Sequence, residues 1–309
     1  MKQGGHLRGF LAELRKNHTL YLFIAPAAFY TFVFGYATLP YLVIAFQKYS
    51  YKTGLKSPFV GFDNFRFFFS STRAWEVTRN TIWLNFLFLI FGTIVALTLA
   101  ICLNELNNKP FVRITQSTML FPYFISWVIV SYILYAFLAS DKGMFNHLIT
   151  ALGGKRINWY SQPQLWRSIL VFCRVWKGSG YTMIIYLATI TGIDRTLNEA
   201  AAIDGANRWQ MIRYITLPLL APTVCILMLL DVGKMFYGDF GMVYALVKDS
   251  GQLLPKVDVI DTYVYRMLRV TGDPSNAMAV NLYQSVVGFI MVFTSNWIVR
   301  RTFPDGALF

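Results

Sequence analysis

The chain has 309 residues, of which 56% are hydrophobic, 17% aromatic and only 14% charged, and its formal net charge is +13. This composition excludes an ordinary soluble globular protein and indicates a membrane protein. The three cysteines lie inside apolar runs, which leaves neither a disulfide framework nor a CxxC metal or redox motif. The length suits one integral membrane domain without a further catalytic domain of ordinary size.

The hydropathy pattern predicts how the chain crosses the membrane. Apolar runs of bilayer-spanning length follow one another along the sequence and carry few charges. We therefore predict an all-α integral membrane protein with a six-span domain at 20–300. The predicted transmembrane helices are 20–46, 81–103, 114–140, about 168–193, about 217–237 and 277–299.

Both chain ends are predicted to lie on the cytoplasmic side. Residues 1–19 are basic and mildly amphipathic, which is typical of a segment on the inner membrane face, although a flexible tail fits equally well. Six spans place the short tail at 301–309 on the same side. The numbers of Lys and Arg differ little between the two sides, and only their density favours cytoplasmic ends.

A short polar stretch between two apolar spans stands apart from the rest of the sequence. Residues 199–220 read EAAAIDGANRWQMIRYITLPLL. Thr196 and Glu199 are three residues apart, which predicts a capping box at the start of a short helix. Gly205 predicts a left-handed turn that ends this helix, and a second helix leads into the next span at Pro218. Spacing alone is equally compatible with an amphipathic device that returns the chain to the membrane.

The order of residues in this stretch resembles a known family. Glu199-Ala200-Ala201, followed by Gly205 and then by Ile215-x-Leu217-Pro218, resembles the EAA loop of permease subunits in bacterial ABC importers. The resemblance implies the type I importer permease fold, in the bacterial cytoplasmic membrane, with a cytoplasmic coupling helix at about 194–218. VGFDNF at 60–65, followed by RNT at 79–81, resembles the start of the second span in carbohydrate permeases. WKGSGYTMIIYLATITGID at 176–194 and DVIDTYVYR at 258–266 resemble the branch that imports oligosaccharides.

The same resemblance assigns roles within residues 194–218, which we call the coupling loop. Glu199 is expected to pair with a basic residue of an ATPase subunit, the two alanines after it to allow close packing, and Gly205 to make the turn. The alternative for Glu199 is that it only completes the capping box with Thr196. The implied coupling residues are Glu199, Ala200, Ala201, Asp204 and Gly205.

An assembly is also implied by the resemblance. Its expected members are two ABC ATPase subunits that bind ATP and Mg²⁺, a second homologous permease subunit or a second copy of this chain, and an extracytoplasmic solute-binding protein. Membrane lipid surrounds the chain, and no nucleic acid is expected. The external loop at about 238–277 is a candidate docking surface, with plain loop packing as the alternative for its charged residues Asp258, Asp261 and Arg266.

Four charged residues fall within the predicted spans, where each costs about 2.5–3.5 kcal/mol at a helix centre. Arg174 and Lys177 share one helix face, as do Asp231 and Lys234. They either pair with one another or line a water-filled path. Three cations against one anion, with aromatic rings nearby, favour an acidic, uronate-type oligosaccharide, and a neutral sugar is the alternative. The predicted substrate path consists of Arg174, Lys177, Tyr181, Asp231, Lys234 and Tyr237.

The sequence offers no familiar catalytic motif. It lacks GxxxxGK[ST], HExxH and GxSxG, and its three histidines fall in different predicted loops. We therefore expect no enzyme activity, metal or cofactor in this chain, and we interpret the glycines of GSG at 178–180 as a close helix contact. The rival interpretation is a membrane-embedded enzyme acting on glycans or lipids, or an accessory subunit without an ATPase. Such an enzyme would need paired carboxylates or a nucleophile at membrane depth.

Overall fold

Helices account for most of the described chain. The computed structural model describes Glu13 and residues 16–302, and within these residues the one β-type pairing is a bridge between Gln47 and Phe59. The all-helical prediction is confirmed, while the predicted segments 1–19 and 301–309 lie largely outside the described residues. We number the α-helices α1 His18–Thr31, α2 Asp63–Phe69, α3 Thr72–Asn104, α4 Lys109–Phe124, α5 Trp127–Leu138, α6 Met144–Ala151, α7 Pro163–Thr191, α8 Arg195–Ile203, α9 Arg208–Met211, α10 Leu217–Gly233, α11 Phe240–Val247, α12 Leu254–Val257, α13 Ile260–Arg266 and α14 Pro274–Thr302.

Four helical stretches in the described chain are long and apolar enough to cross a membrane on their own. They agree in position with the first, second, fifth and sixth predicted spans. α3, with 33 residues, is about 50 Å long and exceeds the roughly 30 Å apolar core of a bilayer. The four stretches are His18–Phe46, Thr72–Asn104, Arg208–Gly233 and Pro274–Arg301.

The predicted third span, 114–140, is wrong as a single helix. α4 ends at Phe124 and α5 begins at Trp127, with a bend of 99° between them. The Ser126 hydroxyl accepts a hydrogen bond from the Ile129 amide at 3.3 Å and so caps the start of α5. Hydrophobicity is continuous across the bend, so the apolar pattern alone could not reveal it.

The predicted count of six spans is not reproduced by length and composition. The bent pair α4–α5 brings the apolar spans to five. α7, which covers the predicted fourth span, has 29 residues but carries Arg167, Arg174 and Lys177. It is therefore a long helix of mixed polarity, placed among the apolar ones.

α3 and α7 pack along each other at the centre of the fold. α7 also meets α4 at Gly180, where a side-chain carbon would lie 2.0 Å from the backbone oxygen of Met119. The close helix contact predicted for GSG is therefore confirmed at Gly180. Three apolar clusters surround this centre: one includes Leu84, Trp166 and Met242, another Val77, Phe236 and Val280, and the third Ala96, Met183 and Leu220.

Candidate coupling loop and translocation path

The first helix of the coupling loop begins with an aspartate cap. The Asp194 carboxylate accepts a hydrogen bond from the Thr196 amide at 3.0 Å. This bond, followed by one from the Thr196 hydroxyl, lowers the pKa of the Asp194 carboxyl. The predicted capping box of Thr196 with Glu199 is wrong, because Asp194 already occupies the cap position of α8.

The turn after α8 is built as the sequence predicts. Gly205 has a φ of +80°, and the Ala206 amide donates to the Ala201 carbonyl at 2.9 Å. The next helix, α9, has a capping box that the sequence analysis missed. Asn207 accepts from the Gln210 amide at 2.9 Å, and the Gln210 side chain accepts from the Asn207 amide at 2.7 Å. The Asn-x-x-Gln spacing was the available signal.

The second helix of the coupling loop continues directly into a membrane span. α9 passes through a wider helical turn at Ile212–Thr216 into α10, and the whole stretch of 26 residues is apolar enough to cross the membrane. Arg208 forms an ion pair with Glu105, at 3.1 Å, immediately after the end of α3. The coupling loop therefore lies at the end of α3 opposite Thr72.

The surface of the coupling loop is unusually open. Ile203, Trp209 and Tyr214 are 87%, 67% and 69% exposed. Glu199 is exposed as well, and it makes no hydrogen bond or ion pair with any residue that the structure describes. Among the other predicted coupling residues, Ala200, Asp204 and Gly205 are exposed and Ala201 is half-buried. Exposed apolar groups beside a free carboxylate are typical of a surface that a partner covers.

Lys177 lies at the break between α4 and α5. Its ammonium group donates to the backbone oxygen of Tyr123 at 2.6 Å, a carbonyl near the end of α4. It also lies 5.4 Å from the ring centres of both Tyr123 and Trp127. The ring of Tyr181 stacks on that of Tyr123 at 4.7 Å. The predicted path residues Lys177 and Tyr181 thus lie together around Tyr123 and Trp127, two aromatic residues that were not predicted from the sequence.

Arg174 pairs with Asp239 and not with Asp231, the anion considered from the sequence. Its guanidinium is 3.7 Å from the carboxylate of Asp239, which also caps the start of α11. Asp231 is within electrostatic range of Arg174 and Lys234, but it forms no direct ion pair in the described chain. The pairing considered for Asp231 is therefore absent from this structure, and Asp239 takes its place.

The predicted fifth span ends earlier than expected, at Gly233 instead of Tyr237. Residues 234–239, which we call the link, are irregular backbone held by distant side chains. Asn85 donates to the carbonyls of Met235 and Tyr237 at 2.9 and 3.0 Å, and Gln284 donates to that of Phe236 at 2.6 Å. Lys234 and Tyr237 therefore sit on the link and are exposed. Side-chain amides satisfy backbone groups that a helix would have paired internally.

Three charged residues of the predicted external loop, Asp258, Asp261 and Arg266, pack against the rest of the protein. Asp258 is fully buried and forms ion pairs with Arg73, at 2.9 Å, and with Arg266. The Thr262 hydroxyl donates to the same carboxylate at 2.6 Å. Asp261 accepts from the Gly238 amide at 2.5 Å. Packing, the alternative considered for Asp258, Asp261 and Arg266, therefore describes them better than docking.

Comparison with known proteins fixes the family. Residues 88–303 match the family described as binding-protein-dependent transport system inner membrane components. The chain belongs to this family. Its relatives include the polygalacturonan/rhamnogalacturonan transport system permease protein YteP of Bacillus subtilis (strain 168), which is 33% identical over 297 residues, or 96% of this chain and 92% of the relative. The permease family inferred from the EAA-like stretch is confirmed.

Two solved structures show the same fold. A bacterial ABC transporter involved in the import of the acidic polysaccharide alginate has a chain that is 31% identical, with a TM-score of 0.86 over 94% of this permease and 98% of that chain. The bacterial alginate ABC transporter in complex with an alginate pentasaccharide-bound periplasmic protein matches with a TM-score of 0.85, 31% identity, and 94% and 97% coverage. The ABC importer permease fold is therefore confirmed, and the permease is an inner membrane component of a transport system that depends on a binding protein.

Proposed function

We propose that this permease is one of two transmembrane subunits of an ATP-driven importer for acidic, uronate-type oligosaccharides. The carrying observation is the cluster at the α4–α5 break, where the ammonium group of Lys177 lies beside the rings of Tyr123, Trp127 and Tyr181. Aromatic faces suit sugar rings and a cation suits their carboxylates. The likeness to YteP and to the alginate transporter supports the same substrate class.

Lys177 has capacity left for a substrate. An ammonium group has three donors, and one of them is used strongly, on the Tyr123 carbonyl at 2.6 Å, with a longer contact of 3.4 Å to the Pro122 carbonyl. The side chain is half-buried, and the stacked pair of Tyr123 and Tyr181 beside it is exposed. A carboxylate can therefore reach the ammonium group while a sugar ring rests on the tyrosines.

Transport is driven through the coupling loop. In the proposed assembly Glu199 meets a basic residue of an ATPase subunit, and Ile203 and Trp209 enter a cleft of that subunit. Closure of two such subunits on ATP and Mg²⁺ moves α9 together with α10. The permease itself holds no cofactor and catalyses no reaction. Its coupling loop and both chain ends face the cytoplasm.

The remaining partners follow from the same scheme. A second homologous permease encloses the substrate path, and a binding protein delivers the oligosaccharide from outside. The exposed parts of the segment 238–277, which include 248–249, 251–252 and 268–272, remain as the docking surface for the binding protein, because Asp258 is buried and Asp261 and Arg266 are half-buried. Arg174, Asp231, Lys234 and Tyr237 complete the proposed path around Lys177.

The substrate class is tested with Lys177→Gln in the complete importer, reconstituted with its binding protein. Uptake is measured for trigalacturonate and for its methyl ester, which has the same rings without the charges. We expect uptake of the acid to fall about ten-fold relative to wild type, since a hydrogen bond to a charged group is worth about 1.5–3 kcal/mol, and uptake of the ester to fall much less. The exposed Lys155→Gln is the matched control. Equal losses for acid and ester would refute recognition of the carboxylate by Lys177.

Coupling is tested by co-purification. Glu199→Lys reverses the free charge without removing a hydrogen bond inside the permease. We expect less ATPase subunit to remain bound during purification, with unchanged retention in Glu13→Lys, an exposed glutamate outside the coupling loop. A Glu199→Lys complex that keeps its ATPase and its transport rate would argue against this contact.

A further inference from the structure

A second group of aromatic and basic residues lines a pocket that does not include Lys177. Its volume is about 350 Å³, and its walls come from the first turns of α3, from Arg167 of α7 and from Lys256 of α12. The α3 wall includes Trp75, Arg79 and Trp83. None of these residues belongs to the coupling loop or to the proposed substrate path.

The pocket lies at the edge of the membrane, on the face opposite the coupling loop. α3 begins at Thr72 and ends next to Glu105, the residue that pairs with Arg208 of the coupling loop. Arg79 is the last charged residue before 25 uncharged ones at 80–104. A helix with this sequence leaves the apolar core near Arg79, so the pocket lies at the depth of the lipid headgroups.

The charge of the pocket is unbalanced. Three of its lining residues are cations, and none is a carboxylate. Arg167 is fixed by its hydrogen bonds to the Asn80 side chain at 2.9 Å and to the Lys256 carbonyl at 3.1 Å. The side chains of Arg79 and Lys256 make no hydrogen bond or ion pair with any other described residue. The site therefore offers one fixed and two free cations to an anion.

The apolar part of the pocket continues toward the middle of the membrane. Trp75 and Trp83 are 69% and 47% exposed, and the ring of Phe86 stacks on that of Trp83 at 6.0 Å. Phe86 is itself 43% exposed. Exposed tryptophans are typical of the membrane interface, and the surface beyond them at Phe86 is suited to hydrocarbon instead of sugar.

We propose that this pocket binds the phosphate of an anionic phospholipid in the leaflet opposite the coupling loop. Arg79, Arg167 and Lys256 contact the phosphate, Trp75 covers the glycerol region, and one acyl chain follows Trp83 and Phe86. Binding at this position holds α3, α7 and α12 together at one point. The site stands independently of the substrate class proposed above.

The test uses the complete importer purified in detergent and native mass spectrometry with added phosphatidylglycerol. We compare wild type with Arg79→Gln/Lys256→Gln, which removes the two free cations and leaves the bonds of Arg167 intact. Each cation near a lipid surface contributes about 1 kcal/mol, so retention of phosphatidylglycerol should weaken about 30-fold. The control is Lys155→Gln/Arg156→Gln, which removes two exposed cations outside the pocket.

Two further arms decide the identity of the ligand. Phosphatidylcholine, whose headgroup has no net charge, should be retained far less than phosphatidylglycerol. Trigalacturonate should not displace the lipid from the wild-type complex. Equal lipid retention by wild type and the pocket variant, or an equal loss in the control, would overturn the proposal. Displacement by trigalacturonate would overturn it in favour of an acidic-sugar site.

Discussion

The coupling loop and the segment 238–277 both connect long helices, yet they are held in place differently. In the coupling loop, apart from the exposed Arg208–Glu105 ion pair, the stabilising bonds join residues two to five positions apart, such as Thr196 to Asp194 and Gln210 to Asn207. In the segment 238–277 they join Asp258 to Arg73 and Asp261 to Gly238. The first connection keeps its shape locally and leaves its surface free. The segment 238–277 is bonded to distant parts of the protein, so the motion proposed for transport is expected in the coupling loop.

The largest effect should come from breaking the second connection. Asp258→Asn keeps the shape of the side chain but removes the counter-charge of Arg266 at a buried site and leaves Arg73 with Glu76 alone. Loss of one partner of a buried ion pair costs about 3–5 kcal/mol. We expect a marked fall in the thermal stability of the purified complex, with little change in the exposed control Asp249→Asn. Unchanged stability of Asp258→Asn would show that the ion pairs of Asp258 do not hold the segment 238–277 in place.

A smaller effect is expected from strain in the coupling loop. Gly205→Ala places a side chain at a φ of +80° with no atom within 4 Å to clash, so only backbone strain of about 1–2 kcal/mol results. We expect weaker stimulation of ATP hydrolysis by substrate in the reconstituted importer. Gly153→Ala is the matched control, because Gly153 has a φ of +83° in another loop and also has open space around it. If both variants lost coupling equally, strain in general, and not the turn, would be responsible.

Loss of a helix cap should have a more local effect. Asn207→Ala removes the acceptor for the Gln210 amide, which costs about 1 kcal/mol at the start of α9. Amide hydrogen exchange over 208–211 should accelerate about five-fold. Asn207→Asp should restore slow exchange, since aspartate caps helices equally well. Acceleration that spread into α10 would show that the two helices open as one unit.

Acid should produce the smallest change. The pKa of Asp194 is lowered in the folded protein, so its cap stabilises α8 above the ordinary pKa of aspartate, and this contribution is lost as the pH falls through the lowered value. Exchange over 195–198, corrected for its intrinsic pH dependence, should therefore rise in acid. Asp194→Asn should abolish this rise while keeping the cap. A rise that persisted in Asp194→Asn would assign it to another group.

The same contrast explains what the sequence could predict. The turn at Gly205 and the span leading from Pro218 rest on local chemistry, and both were predictable. The cap of α8 was misassigned because Asp194 and Thr196 both suit a cap position, and choosing between them depends on where the backbone turns. The capping box of α9 could have been predicted from the spacing of Asn207 and Gln210, but it was not.

Interactions over long distances in the chain were not predictable from one sequence. The break at 125–126 lies inside a continuous apolar run. Lys177, whose ammonium group donates to the Tyr123 carbonyl beside this break, is 51 positions beyond Ser126. The partner of Arg174, Asp239, lies on an irregular link that depends on Asn85 and Gln284. Residue types could identify Arg174 and Lys177 as unusual at membrane depth, but they could not identify their neighbours.

The uninterrupted passage from α9 into α10 has a mechanical consequence. The helical stretch of 26 residues is about 39 Å long, so a small tilt imposed at Trp209 corresponds to a displacement of several ångströms at Gly233. There α10 meets the link, whose backbone carbonyls accept hydrogen bonds from Asn85 of α3 and Gln284 of α14. In the proposed mechanism, a displacement of the coupling loop would therefore pass through α10 to a link that is hydrogen-bonded to α3 and α14.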